Sequence, residues 1–285
     1  MLRICTEQEF EKYIDFVYHL ALDQSKSGYP TYSDGIKTRE MFIQRSQKAF
    51  SRNTEEILLF ESDGVVEGWI HYYWLPDDNY LSTVSFNICS HTEQALQEFL
   101  EFARERFKGY DLFLGYSTEN RQAVHFLSAH GFECIENDYN NTAFLDRYEP
   151  IAVSDRVIRV TKENYESFRR LHDNVEGDMY WNSDRIYADL DNWIIFVMLQ
   201  DGEPVGSVYY LTDDDGWFEI FGIDRKDGVF RAEIFRELLG KALNTAKELG
   251  GKYMTFFCED EEQEIVGTLG FECVGQYVCY QLQLT

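Results

Sequence analysis

Apolar positions along the chain alternate between two spacings, one helical and one strand-like. Phe10, Tyr13, Ile14, Val17, Tyr18 and Ala21 recur every three or four residues, and Thr6-Glu7-Gln8-Glu9 ahead of them forms a capping box. The polar stretch 23–52, with Gly28, Pro30 and Gly35, predicts a loop and a second helix around 41–49. Residues 57–60 and 68–75 read as strands joined by an Asp63-Gly64 turn, and 81–88 as the third strand of a meander. Ser90-His91-Thr92-Glu93 predicts another capping box, opening a helix lined by Leu96, Phe99, Leu100, Ala103 and Phe107. A strand at 111–116, a short helix from Asn120 closed by Gly131, and strands at 132–135 and 142–145 follow.

The pattern then starts again. Gly131-Phe132-Glu133-Cys134 returns 139 residues later as Gly270-Phe271-Glu272-Cys273, and the hairpin around Asp63-Gly64 returns 138 residues later around Asp201-Gly202. A period this long signals two copies of one fold rather than a solenoid. Thr161 is the expected cap of the second copy's first helix, with Tyr165, Phe168 and Leu171 as its apolar stripe. The expected strands are 193–199, 205–211, 216–223, 253–258 and two more within 271–283. Helices are expected from Phe235 to Leu249, stopped by Gly250-Gly251, and over 262–269. The first copy carries 17 more residues than the second between its first helix and its second strand. The expectation is an α+β protein of two tandem domains, 1–150 and 151–285, each with a mixed central sheet flanked by helices.

Composition narrows the partners. The chain has 285 residues and a formal charge of −25, from 51 acidic and 26 basic side chains. Phosphate contacts need clustered Lys and Arg, so nucleic acid and anionic membranes are disfavoured, whereas a cationic acceptor is compatible. Hydrophobic residues make up 44%, enough for two cores. The six cysteines form no C-x-x-C pair and no Cys/His cluster at zinc spacing, so no metal is expected, and a reducing cytoplasm fits them. No apolar run approaches the ~18 residues of a membrane span, and the first residues lack the apolar core of a signal peptide.

The order of elements, with an Asn-x-x-Ala helix running into Gly-Phe-Glu, resembles the GNAT superfamily of N-acetyltransferases. Asn120, Ala123, Phe126, Gly131 and Phe132 carry the motif in the first copy. The second keeps Leu269-Gly270-Phe271 but has Glu259 and Glu262 where Asn and Ala are expected. The resemblance implies direct attack of an amine on the thioester of acetyl-CoA, with a small-molecule or peptide amine as acceptor. It also implies pyrophosphate binding at the start of the long helix, through an Arg/Gln-x-x-Gly-x-Gly/Ala loop whose free N–H groups and helix dipole favour an anion.

Both copies depart from that loop. Residues 89–94 contain no glycine, Arg or Lys, while in the second copy Glu233 and Phe235 stand at the glycine positions. A carboxylate ~5 Å from a phosphate charge costs about 3 kcal/mol at an effective dielectric of ~20. Arg225, Lys226 and Arg231 offset it, and Gly228 gives the loop another path. The expected acetyl-CoA site is therefore Ile223, Arg225, Lys226, Gly228, Arg231, Ala232, Glu233, Ile234 and Phe235, with Asn120 carried over from the first copy's motif. The family often uses a tyrosine of the late helix to protonate the leaving thiolate. Leu127 and Val266 stand there, which leaves Tyr277 or Tyr280 of the last strand, or solvent. The family's carboxylate base maps onto Glu219, with Val84 as its expected counterpart and Phe221 and Ile223 expected on its side of the strand. The rival reading is a catalytically silent tandem module that binds CoA, a metabolite or a protein.

Overall fold

The structure, a computed structural model, describes residues 1–174, 180–212 and 216–285. The first part of the chain forms β1 (Leu2–Ile4), α1 (Glu7–Ala21), α2 (Arg39–Gln47), β2 (Glu55–Ser62), β3 (Val65–Leu75), β4 (Tyr80–Ile88), α3 (Thr92–Arg106), β5 (Asp111–Ser117), α4 (Arg121–Ala129) and β6 (Glu133–Phe144). It continues through β7 (Val157–Arg159), α5 (Glu166–His172), α6 (Ser183–Ala188), β8 (Trp193–Gln200), β9 (Glu203–Thr212), β10 (Trp217–Arg225), α7 (Ala232–Glu248), β11 (Tyr253–Cys258), α8 (Asp260–Thr268) and β12 (Phe271–Gln283).

Local chemistry explains most of the boundaries. Thr6 and Glu9 form the reciprocal capping box of α1. The turns Asp63-Gly64 and Asp201-Gly202 hold positive φ at both residues, which matches the twist of the hairpins they close. Gly131 and Gly270 end their helices at φ 82° and 88°. Two expected caps differ. No capping box opens α3: its N-cap is His91 in the left-handed region, without a side-chain cap. Thr161 lies in a turn that precedes α5, where its amide donates to Asn164 Oδ1 at 2.6 Å, and the helix starts only at Glu166. Helix α6 had no sequence signal strong enough to be expected.

The chain divides into two compact units, and they are not the two halves of the sequence. The first comprises 1–138 with 275–285, the second 139–274. In the first, the sheet runs β1-β2-β3-β4-β5-β12; in the second it runs β6-β11-β10-β9-β8-β7. The expected boundaries, 1–150 and 151–285, miss this exchange of closing strands. Strand β6 leaves the first half and pairs antiparallel with β11, Tyr139 opposite Cys258 through Phe144 opposite Tyr253. Strand β12 leaves the second half and pairs antiparallel with β5, Tyr277 opposite Ser117 through Gln283 opposite Asp111. The exchange also explains why each pair of short closing strands expected from the sequence is one long strand, of 12 and 13 residues.

Each unit has a core on both faces of its sheet. In the first, Phe86, Leu96, Phe99 and Tyr116 pack under α3 and α4 together with Val278, Tyr280 and Leu284 from the exchanged end, while Phe10, Val17, Phe42 and Trp69 pack under α1 and α2. In the second, α7 and α8 cover Phe218, Ile220, Phe235 and Phe256, and α5 and α6 cover Ile195, Trp193 and Tyr209.

A β-bulge recurs in both units and positions the ends of the central strands. Pairing of β3 with β4 steps from His71–Ser85 to Tyr72–Thr83, leaving Val84 as the extra residue. Pairing of β9 with β10 steps from Tyr210–Ile220 to Tyr209–Gly222, leaving Phe221 as the extra residue. Beyond its bulge each strand turns from its parallel neighbour: β4 and β5 pair only as far as Ser82–Phe113, β10 and β11 only as far as Ile220–Phe256.

Glu55, at the start of β2, is a buried carboxylate that receives Arg45, Arg52 and the Nε2 of His71 at 3.1 Å. Burial alone would raise its pKa, but the hydrogen bonds from His71, Arg45 and Arg52 outweigh it and hold Glu55 well below the usual carboxylate range. Its stabilisation is therefore present above the unfolded pKa of about 4.3 and is lost as pH falls through the folded value. Glu55→Gln should lower the stability of the first unit at pH 7 and flatten its dependence on pH below about 5, read by urea titration across pH. The exchanged end makes a second prediction. Leu284 is fully buried in the first unit's core, so Leu284→Ala should cost about 2–5 kcal/mol in the unfolding of residues 1–138 and leave that of 139–274 unmoved, as read by segment-resolved hydrogen exchange.

Candidate functional site

In the second unit the residues named from the sequence gather where β10 ends and α7 begins. Six residues, 226–231, connect the two elements. Gly228 takes φ +68°, a left-handed position that lets the connection turn back toward the helix. Helix α7 starts at Ala232 with Arg231 as N-cap and no side-chain cap, so the first-turn amides point outward with the positive end of a 17-residue helix behind them. A shallow depression lies at this corner, lined by Ile223, Arg225, Arg231, Ile234 and Phe235 among others.

The charges in the connection are largely committed to one another. Arg231 grips Asp227 with two hydrogen bonds, 2.7 and 2.6 Å. That pairing, ahead of the amide of Val229, lowers the Asp227 pKa to about 2. Arg225 reaches α8, where it meets Glu261 at 2.5 Å and Glu262, with Phe230 under its guanidinium at 5.0 Å. Burial raises the Glu262 pKa, against the pull of Arg225. Lys226 is exposed and has no ion-pair partner among the described residues. The Glu233 side chain is 82% exposed and lies 3.8 Å from Arg156. Phe235 does not take a glycine's place beside a ligand: it is buried against Phe230 and Phe256.

Glu219 is half-buried in β10, with Leu211 and Thr255 as its neighbours across the sheet. The bulge corrects two expectations about it. Phe221 packs with the α5 and α6 core, but Ile223 packs with the α7 core, because the extra residue reverses the alternation. Glu219 therefore shares a side with Phe221 and not with Ile223. Aligning the two bulges also sets Val84 against Phe221, so the first-unit counterpart of Glu219 is Ser82. The counterpart still has no carboxylate.

Just past the bulge sits a buried polar group that sequence reasoning missed. Asp224 accepts from Ser207 Oγ at 2.7 Å and faces His172 Nδ1 at 3.2 Å, while His172 Nε2 lies 2.9 Å from the carbonyl of Trp181. Both ring nitrogens face oxygen atoms, so the imidazole bridges the end of β10 to the backbone of Trp181. The pair ties α5 and β9 to the end of β10. Its sequence signal was slight, since a lone His in an apolar helix is usually core.

The remaining named residues lie elsewhere. Tyr277 and Tyr280, expected beside Glu219, belong to the first unit because β12 is exchanged. Tyr277 packs its ring on Tyr29 at 4.9 Å, and its burial pushes the phenol pKa well up. Tyr280 bonds Ser128 Oγ at 3.0 Å. The position in the second unit that matches Val278 of β12 is Tyr139 of β6, whose phenol pKa is raised by its hydrogen bond with Asp260. Asn120 caps α4 through Ala123 N–H, and its amide donates to the Ser27 carbonyl, so both ends of its side chain are committed within the first unit.

At the matching corner of the first unit only three residues, 89–91, connect β4 to α3. His91 stands at the helix start, 2.8 Å from a carboxylate oxygen of Glu67. Among the described residues no cluster of three or more His, Cys, Asp or Glu is placed to hold a metal, and no helix is long and apolar enough to cross a membrane. Among the described residues no cysteine forms a disulfide, and Cys89, Cys134 and Cys273 are exposed.

No protein-family model matches the sequence, and no curated protein matches it. Solved structures do. A GCN5-related N-acetyltransferase from Sphaerobacter thermophilus superposes with a TM-score of 0.67 at 12% identity, covering 100% of this chain and 95% of its own. A GCN5-related glucosamine N-acetyltransferase region of a fungal multi-domain GH3 β-N-acetylglucosaminidase matches at 0.61 and 12% identity, over 99% of this chain and 38% of that one. A tandem GNAT protein from the clavulanic acid biosynthesis pathway matches at 0.50 and 12% identity, over 100% and 98%. With its bulged central strands in both units, the chain has the tandem GNAT N-acetyltransferase fold.

Proposed function

We propose that the protein is an acetyl-CoA-dependent N-acetyltransferase whose chemistry resides in the second unit. One observation carries this reading. Of the two corners where a bulged strand meets a helix, only that of the second unit combines a six-residue glycine-containing connection, nearby cations and a carboxylate on the bulged strand. The residues present fit the diphosphate of CoA there. The first-turn amides of α7 supply donors, Gly228 allows close approach, and Lys226 and Arg231 supply charge.

Acetyl-CoA supplies the thioester carbon that the amine attacks. Glu219 takes the proton of the incoming ammonium, directly or through water, so that the nitrogen lone pair forms the amide as the carbon–sulfur bond breaks. Glu219 is half-buried and shares its side of the strand with Phe221. The thiolate takes its proton from solvent. The acceptor is a small-molecule or peptide amine, attracted by a chain of charge −25, and neither nucleic acid nor a membrane takes part. The setting we propose is cytoplasmic. A second reading, a silent module that binds CoA, a metabolite or a protein, is favoured by the ion pairs that occupy Arg225 and Arg231.

Incubation with acetyl-CoA and a panel of primary amines, followed by mass spectrometry, should show an added acetyl group. Glu219→Gln should lower that rate by ~100-fold or more while CoA affinity stays nearly intact. Wild-type turnover in this variant across pH 6 to 9 would remove Glu219 as the base. In calorimetry Arg231→Ala should weaken CoA binding, whereas Asp227→Asn, which releases Arg231 and deletes a negative charge, should tighten it by about five-fold. An unchanged affinity in both variants would move the diphosphate away from this connection.

A further inference from the structure

We propose that the first unit closes its own cleft: residues 26–29 lie between β4 and β5 as a built-in occupant, so this unit is not a ligand site and the chain presents at most one CoA cleft. The part of the proposal that concerns CoA rests on the function proposed above; the closure itself rests on geometry alone.

Where β4 and β5 separate past Ser82–Phe113, their facing backbone edges lose each other as partners. Buried N–H and C=O groups need partners, and an extended strand-like arm is the natural one. Here the chain supplies it. The amide of Gly28 donates to the Phe86 carbonyl at 2.8 Å, and the amide of Tyr29 donates to the Gly115 carbonyl at 2.8 Å. In return the Lys26 carbonyl accepts from the amide of Ile88 at 2.9 Å. Ser27 thus bridges to Asn87 on β4 and Gly28 to Tyr116 on β5. Side chains secure the segment: Asn120 Nδ2 donates to the Ser27 carbonyl at 3.3 Å, and Ser117 Oγ donates to Gln24 at 2.7 Å.

The fit leaves no slack. A Cβ on Gly28 would stand 3.2 Å from Phe86 Cβ and 3.3 Å from the Gly115 carbonyl oxygen. Residues 26–29 fall within the stretch that makes the first half longer between its first helix and second strand, which gives part of that stretch a role. An amide-bearing arm such as the pantetheine of CoA would have to evict three backbone hydrogen bonds to enter, and would then meet the Glu67 carboxylate at the start of α3 instead of a cationic loop.

Residue-resolved hydrogen exchange of the full chain, with and without CoA, tests both parts. The amides of Gly28, Tyr29 and Ile88 should exchange as slowly as the paired amides of β4, and CoA should change protection only around 223–235. Slow exchange with no CoA effect anywhere would uphold the closure and count against the proposed function. Fast exchange at Gly28 and Tyr29, or a CoA-dependent change at 26–29, 86–88 or 115–117, would overturn the closure. Gly28→Val, which crowds Phe86 and the Gly115 carbonyl, should speed exchange at Gly28, Tyr29 and Ile88 more than ten-fold while 253–258 keeps its protection; should that variant fail to fold, the wild-type measurement still decides.

Discussion

One extra residue in each central strand governs much of what this molecule can do. With Val84 and Phe221 unpaired in their ladders, β4 and β10 bend out of register with β5 and β11, and each parallel pair opens. The opening fixes which way the end of the strand faces, where the next helix can begin, and which backbone groups need a partner from elsewhere. The two units then diverge over the same constraint. The first meets it with its own backbone and a three-residue turn into α3, the second with a six-residue loop that carries cations to the start of α7.

The acidity of the chain reaches into this second corner. The arginines of this corner are already held by Asp227, Glu261 and Glu262. An exposed pair such as Arg231–Asp227 is weak, and a divalent ligand competes with it readily. Arg225 is different: it is mostly covered, between two carboxylates and over Phe230, and it fastens α8 to the end of β10 more than it waits for a ligand. Asp224 and His172 fasten the same strand from the opposite face.

Much of this was legible in the sequence. The 138- to 139-residue recurrence gave the duplication, the capping box at Thr6 and the turns at Asp63 and Asp201 gave boundaries, and the helical stripe from Phe235 to Leu249 gave α7. Two things were not legible, for distinct reasons. A bulge has no signature in an apolar strand, because Phe221 is as apolar as its neighbours, so strict alternation placed Ile223 on the wrong side. Strand exchange is invisible to periodicity, since β6 and β12 carry the same pattern whichever sheet receives them, and Tyr277 and Tyr280 were therefore assigned to the second unit. Pairing partners are a property of the folded chain and not of the segment.

The exchange sets an order for synthesis. Residues 1–138 leave the ribosome before 139–274, yet their sheet is completed only by 275–285. Until then the edge of β5 stands open, for the time taken to translate 136 intervening residues, or roughly 7 to 27 s at 5–20 residues per second. An unpaired edge of that lifetime is a site for mispairing, and β6, the first free strand made, is the nearest candidate for it. The second unit needs no strand from beyond residue 274, and β6 has its partner once β11 is made. Folding of 1–138 thus waits on 275–285, and a chain interrupted before residue 275 has its first unit unfinished.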